Sequence, residues 1–113
     1  MRTQTQALDV LYEVYNCCDS IFGTALREAY LYGSYARGDY HEESDIDILL
    51  TVDLQPETIA QTRKAIASVT SELSLKYDIT VSVTVKSHDQ FKKFASVLPY
   101  YQNVLKEGIR YAV

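Results

Sequence analysis

Residues 44–50 read Ser-Asp-Ile-Asp-Ile-Leu-Leu, and no other stretch of the chain restricts its fold as sharply. Successive side chains of an extended strand point to opposite faces. Asp45 and Asp47 therefore project side by side, while Ile46, Ile48 and Leu50 enter a core. Two carboxylates this close repel each other unless a cation lies between them. Upstream, Gly33-Ser34 ends another apolar run and places flexible backbone N–H groups where a helix can begin, which suits a phosphate. A cation beside a phosphate points to a nucleotide.

The rest of the chain must supply the walls around this strand. Leu8, Leu11, Val14, Tyr15, Cys18, Ile21 and Phe22 recur at helical spacing from about Thr5 to Phe22, with Gly23 as the C-terminal cap. Ala25–Tyr32 reads as a strand ending at Gly33, Ser34–Gly38 as a helical turn and Asp39–Ser44 as a polar loop. The Asp45–Val52 strand is followed by a helix from Pro56 to about Leu75, carried by Ile59, Ile66, Val69 and Leu73. Asp78, Thr80, Ser82 and Thr84 then interleave with Ile79, Val81, Val83 and Val85, a third strand. Ser87 caps a short helix through Phe91 and Phe94, Tyr100–Glu107 forms a last helix, and Ile109–Val113 reads as a terminal strand. This order describes an α/β fold, a small mixed β-sheet flanked by helices. The long helix between the second and third strands permits a parallel crossover.

At 113 residues, 47% of them hydrophobic and 23% charged, the chain is one domain, 1–113. No apolar run approaches the roughly 20 residues of a membrane span, and the first six residues lack a signal-peptide core. A net charge of −4 gives no electrostatic footprint for nucleic acid. Cys17 and Cys18 are adjacent and cannot staple distant segments, so they read as reduced thiols of a cytoplasmic protein, Cys18 facing the core.

Magnesium takes one or two protein carboxylates, with waters and phosphate oxygens completing its shell. A two-metal site, its ions about 3.5–4 Å apart, takes additional carboxylate ligands. Asp53 lies six residues beyond Asp47, ~20 Å along a strand, and is too far. Asp78, counted as the start of the third strand, falls on the face opposite Ile79 and Val81 and would converge with Asp45 and Asp47 if the strands are neighbours.

Gly33-Ser34-x-Ala36-Arg37-Gly38 followed by Ser44-Asp45-Ile46-Asp47-Ile48-Leu49-Leu50 resembles the signature of minimal nucleotidyltransferases of the DNA polymerase beta superfamily. The resemblance extends through Tyr77-Asp78 to the tail Leu98–Gly108. It implies a polymerase-beta-type nucleotidyltransferase fold and transfer of a nucleoside monophosphate, AMP if the triphosphate is ATP, to a hydroxyl with release of pyrophosphate. On that reading Gly33 and Ser34 hold the triphosphate, with Arg37 neutralising phosphate charge. Asp45 and Asp47 bind two Mg2+ ions, and Asp78 completes the metal that receives the acceptor oxygen. Such domains resemble the antitoxin half of two-gene systems whose partner is an all-helical HEPN-type ribonuclease toxin. The implied acceptor is a tyrosine of that partner, with homo-oligomerisation an open possibility. Two alternatives stand beside it: an antitoxin that acts by binding alone, and nucleotidylation of a small hydroxylated molecule.

The blander readings are solvated strand-end acids for Asp45 and Asp47, a helix cap for Ser34, and a surface ion pair for Arg37. His41 reads as exposed. Phe91, Phe94, Tyr100 and Tyr101 read as core.

Overall fold

The computed structural model describes residues 3–111. Helix α1 (Gln4–Phe22) starts at a capping box, with Gln6 N–H donating to the Thr3 hydroxyl and Thr3 N–H donating back to the Gln6 side chain. A 3-10 turn (Gly23–Ala25) leads into β1 (Leu26–Tyr32), followed by a four-residue helix α2 (Ser34–Arg37) and β2 (Ile46–Val52). The crossover to β3 (Val81–Ser87) runs through α3 (Pro56–Ala60) and α4 (Arg63–Tyr77). Helices α5 (His88–Phe94) and α6 (Pro99–Glu107) and a short β4 (Ile109–Arg110) complete the chain.

The sheet order is β3-β2-β1-β4, with β1 antiparallel to β2 and β4 and β2 parallel to β3. The mixed sheet and the parallel crossover are as the sequence implies. Ala29 and Leu31 of β1 with Ile46, Ile48, Leu50 and Val52 of β2 face α1 and α4, and pack on Val10, Leu11, Val14, Cys18, Ile66 and Leu73. Cys18 is buried there, and desolvation holds its thiol up at about 12, whereas Cys17 is exposed. The other face carries a smaller cluster of Tyr30, Leu49, Phe91, Tyr101 and Val104, covered by α5 and α6.

Three local readings shift. The helix expected from Pro56 to Leu75 breaks at Gln61-Thr62, where the Thr62 hydroxyl and N–H both turn back to the Ile59 carbonyl. The third strand begins at Val81 rather than Asp78, because Asp78 ends α4 in a left-handed conformation (φ 52°) and Ile79 N–H closes on the Ser74 carbonyl. Phe94 and Tyr100 are exposed at 37% and 39%, so only Phe91 and Tyr101 of the four aromatics are core. Of the expected terminal strand, Ile109 and Arg110 pair with β1, and residues 112–113 lie outside the described residues. Among the described residues no helix is long and apolar enough to cross a membrane.

Candidate active site

The face of the sheet that α6 only half covers opens at the start of β2. There Asp47 lies between Tyr32 of β1 and Ser82 of β3. Gly33 follows β1 with φ 77°, a conformation that L side chains rarely adopt. A Cβ at Gly33 would stand 2.6 Å from Asp47 Oδ2, so glycine alone lets the turn approach the carboxylate. The Gly33 carbonyl accepts from the N–H groups of Ala36 and Arg37, which starts α2, and Gly38 (φ 89°) ends it by donating to the Ser34 carbonyl. Gly33 is thereby fixed against the carboxylate, and Ser34 lines the same pocket.

Asp45, just before β2, is exposed, and Asp47 is half-buried. Burial first, and then the charge of Asp45, push the Asp47 carboxyl above its ordinary range, with Arg37 pulling the other way. Neither aspartate makes an ion pair among the described residues. Arg37 lies at the pocket edge with its guanidinium 3.3 Å from Asp39 and 3.5 Å from Glu107.

The pocket measures 390 Å³ and is lined by Tyr32, Gly33, Ser34, Arg37, Asp47, Tyr100, Asn103, Val104 and Glu107. The Tyr100 hydroxyl donates to that of Tyr32 at 2.9 Å, and the two rings meet edge to face. Burial and that hydrogen bond raise the Tyr100 hydroxyl well above the ordinary tyrosine value, so it remains protonated. The contribution of α6 is the part that motif reasoning passed over. Its signal lay in the spacing: Tyr100, Asn103 and Glu107 share one helix face, while Tyr101 and Val104 are buried on another.

Asp78 is not brought alongside the pair. The parallel register sets Ser82, not an acid, beside Asp47, and Asp78 sits in the turn before the strand begins. The alternation of residues 78–85 counts parity correctly for Thr80, Ser82 and Thr84, but the left-handed turn takes Asp78 out of the ladder. Among the described residues no three of His, Cys, Asp and Glu form a group that could hold a metal ion. The two aspartates do fit one divalent cation. They are paired, uncompensated oxygen donors beside a pocket, and magnesium uses such sites with one or two carboxylates.

The chain matches the family model described as nucleotidyltransferase domain over residues 11–111. It is similar to the Methanocaldococcus jannaschii protein named "Putative protein adenylyltransferase MJ0604", 35% identical over 96 residues, covering 85% of this chain and 88% of that one. It is also similar to "Putative protein adenylyltransferase MJ0141" of the same organism, 40% identical over 77 residues, covering 68% of this chain and 76% of that one. In fold it resembles a Sulfolobus solfataricus protein described as a nucleotidyltransferase, with a TM-score of 0.63 at 24% identity over 95% of this chain and 80% of that one. A toxin–antitoxin structure with AMP-PNP has a TM-score of 0.56 at 22% identity, over 88% and 69% of the two chains.

Proposed function

The chain belongs to the nucleotidyltransferase domain family, and from that premise we propose that it moves the adenylyl group of ATP onto a hydroxyl of a partner protein. The observation that carries this reading is Asp47, neighboured by Asp45 and without an ion-pair partner among the described residues, pressed against the Gly33 turn in a 390 Å³ pocket. The names of the M. jannaschii relatives support an adenylyl group and a protein acceptor. The toxin–antitoxin structures of the same fold support a toxin as that partner, and the resemblance in sequence motif supports one of the all-helical HEPN type with a tyrosine acceptor. Such a pair would operate in the cytoplasm.

Gly33 and Ser34 hold the triphosphate through backbone N–H groups and the serine hydroxyl. Arg37 exchanges its contacts with Asp39 and Glu107 for phosphate oxygens. Asp45 and Asp47 would hold Mg2+, which supplies charge neutralisation on the phosphates. With Ser82 beside Asp47, the protein's own donors suit one ion; a second would depend on the nucleotide and water for most of its ligands. The acceptor oxygen attacks the α-phosphorus, the bond from that phosphorus to the bridging oxygen breaks, pyrophosphate leaves and the acceptor proton passes to water. Positioning and electrostatics provide most of the catalysis in such transfers, which is within the means of a small domain.

The test is transfer of label from α-labelled ATP to the protein encoded beside this one. Asp47→Asn should lower transfer by about 10³-fold, the scale of losing a principal charge-stabilising group, while the circular dichroism spectrum is unchanged. Undiminished transfer by that variant overturns the reading. A small-molecule acceptor would instead show as label on hydroxylated compounds and none on protein.

A further inference from the structure

The sheet ends at β3, whose outer edge pairs with no strand among the described residues. Ile46 N–H donates to the Thr80 carbonyl, so the even-numbered residues of β3 turn their backbone groups toward β2. Val81, Val83 and Val85 therefore turn theirs outward. Val81 N–H is taken by the Ser74 hydroxyl at 3.0 Å, and Val83 and Val85 present N–H and C=O to a groove of 670 Å³ walled on the other side by α3 and α4. An open row of this kind is a template for one more strand.

We propose that this edge receives, as a fifth strand, an extended acidic segment of the acceptor protein that lies outside its helices, and so docks that protein beside the active site. The inference rests on the reading of a protein acceptor given above. Two observations choose the occupant. First, the groove is positive on a chain of net charge −4: Arg63 and Lys86 line it, no acidic side chain does, and neither cation is in an ion pair among the described residues. A second copy pairing through the same edge would set these cations against their own kind, whereas an acidic segment complements them. Second, the edge is continuous with the site. Ser82 and Thr84 stand on the same face as Asp47, and Ser82 is directly beside it. A strand added to β3 runs about two strand spacings, ~10 Å, from β2. A segment docked there holds the rest of the acceptor protein over the sheet face that carries Asp47. Main-chain pairing gives affinity, and register fixes where the docked protein sits along the edge.

The experiment is amide NMR of the whole chain titrated with a synthetic peptide that alternates valine and threonine around one tyrosine and ends in aspartates. Shifts should concentrate at Val83, Val85 and the α3–α4 wall. Val83→Pro removes an outward N–H at a position where an edge strand tolerates proline. It should weaken the peptide about tenfold, the scale of one or two lost main-chain hydrogen bonds. Arg63→Glu with Lys86→Glu, which leaves the strand backbone intact, should weaken it by a similar factor. Shifts elsewhere, none at Val83 and Val85, or undiminished binding by both variants overturn the proposal. So does a concentration-dependent dimer that Val83→Pro abolishes, which would assign the edge to a second copy. Peptide bound at the edge without label transfer to any protein would leave this inference standing and sink the catalytic reading.

Discussion

Glu28 and Asp47 occupy the same face of the same sheet, and the fold treats the two carboxylates in opposite ways. Glu28 is 5% exposed at the closed end. It accepts hydrogen bonds from the Tyr30 hydroxyl at 3.0 Å and the Thr51 hydroxyl at 3.3 Å, with His88 Nδ1 at 3.4 Å. Arg110 and Lys92 stand at 3.6 and 3.8 Å. Burial and the Glu28 contact in turn raise the Tyr30 hydroxyl to about 12, which keeps it a donor. Asp47, four residues away along β1 by register, or ~13 Å, has Asp45 as a neighbour and no ion-pair partner among the described residues. A buried charge compensated by its own fold is structural. One left without an ion-pair partner beside a pocket is the kind of group that the proposed nucleotide chemistry would use.

Mutations at the two ends should separate these roles. Glu28→Ala removes the acceptor shared by two cations, the His88 ring and two hydroxyls and should cost about 3 kcal/mol in urea unfolding; a loss below ~1 kcal/mol would mean that the cluster is not compensating a buried charge. Gly33→Ala combines a left-handed φ with a Cβ against Asp47 Oδ2 and should cost about 2 kcal/mol. Asp47→Asn removes an unbalanced charge, and its unfolding free energy should stay within ~1 kcal/mol of wild type or rise. If it falls as far as that of Glu28→Ala, the contrast between the two ends is broken.

The smallest effect is expected on the far side of the molecule, where Glu13 of α1 accepts from Lys76 at 2.7 Å and from the Tyr77 hydroxyl. The Lys76 hydrogen bond, then that of Tyr77, hold the Glu13 carboxyl below its ordinary 4.5. Its contribution is present above that ordinary value and disappears as pH falls through the lower folded one. Glu13→Gln should therefore be slightly less stable than wild type at pH 7 and indistinguishable from it once the pH is below the folded value. A difference that persists in strong acid would show that packing, not charge, joins α1 to α4.

The apolar face of the sheet was legible because its residues obey a single rule. Ile46, Ile48 and Leu50 alternate with polar or opposite-facing neighbours, and Leu11, Val14 and Cys18 recur at helical spacing, so each element announces which side it buries. The Gly33 turn and the start of β2 were legible for a related reason: each is a local event set by neighbouring residues, whereas the approach of one to the other is tertiary. The α6 wall was harder to read, since its four pocket-lining residues carry no shared chemistry and reach the pocket only after two helices have folded back.

The sequence by itself determined the alternation, the glycine turn and the paired carboxylates, because periodicity and backbone freedom are properties of neighbouring residues. Only the tertiary structure decided which groups stand beside Asp47. The strand parity of residues 78–85 is the same in either case, but a left-handed residue at the end of α4 delays β3 to Val81, which leaves Asp78 outside the ladder and Ser82 as the register neighbour of Asp47. Register across a parallel crossover depends on where a helix ends and how it packs, and a linear pattern does not encode that.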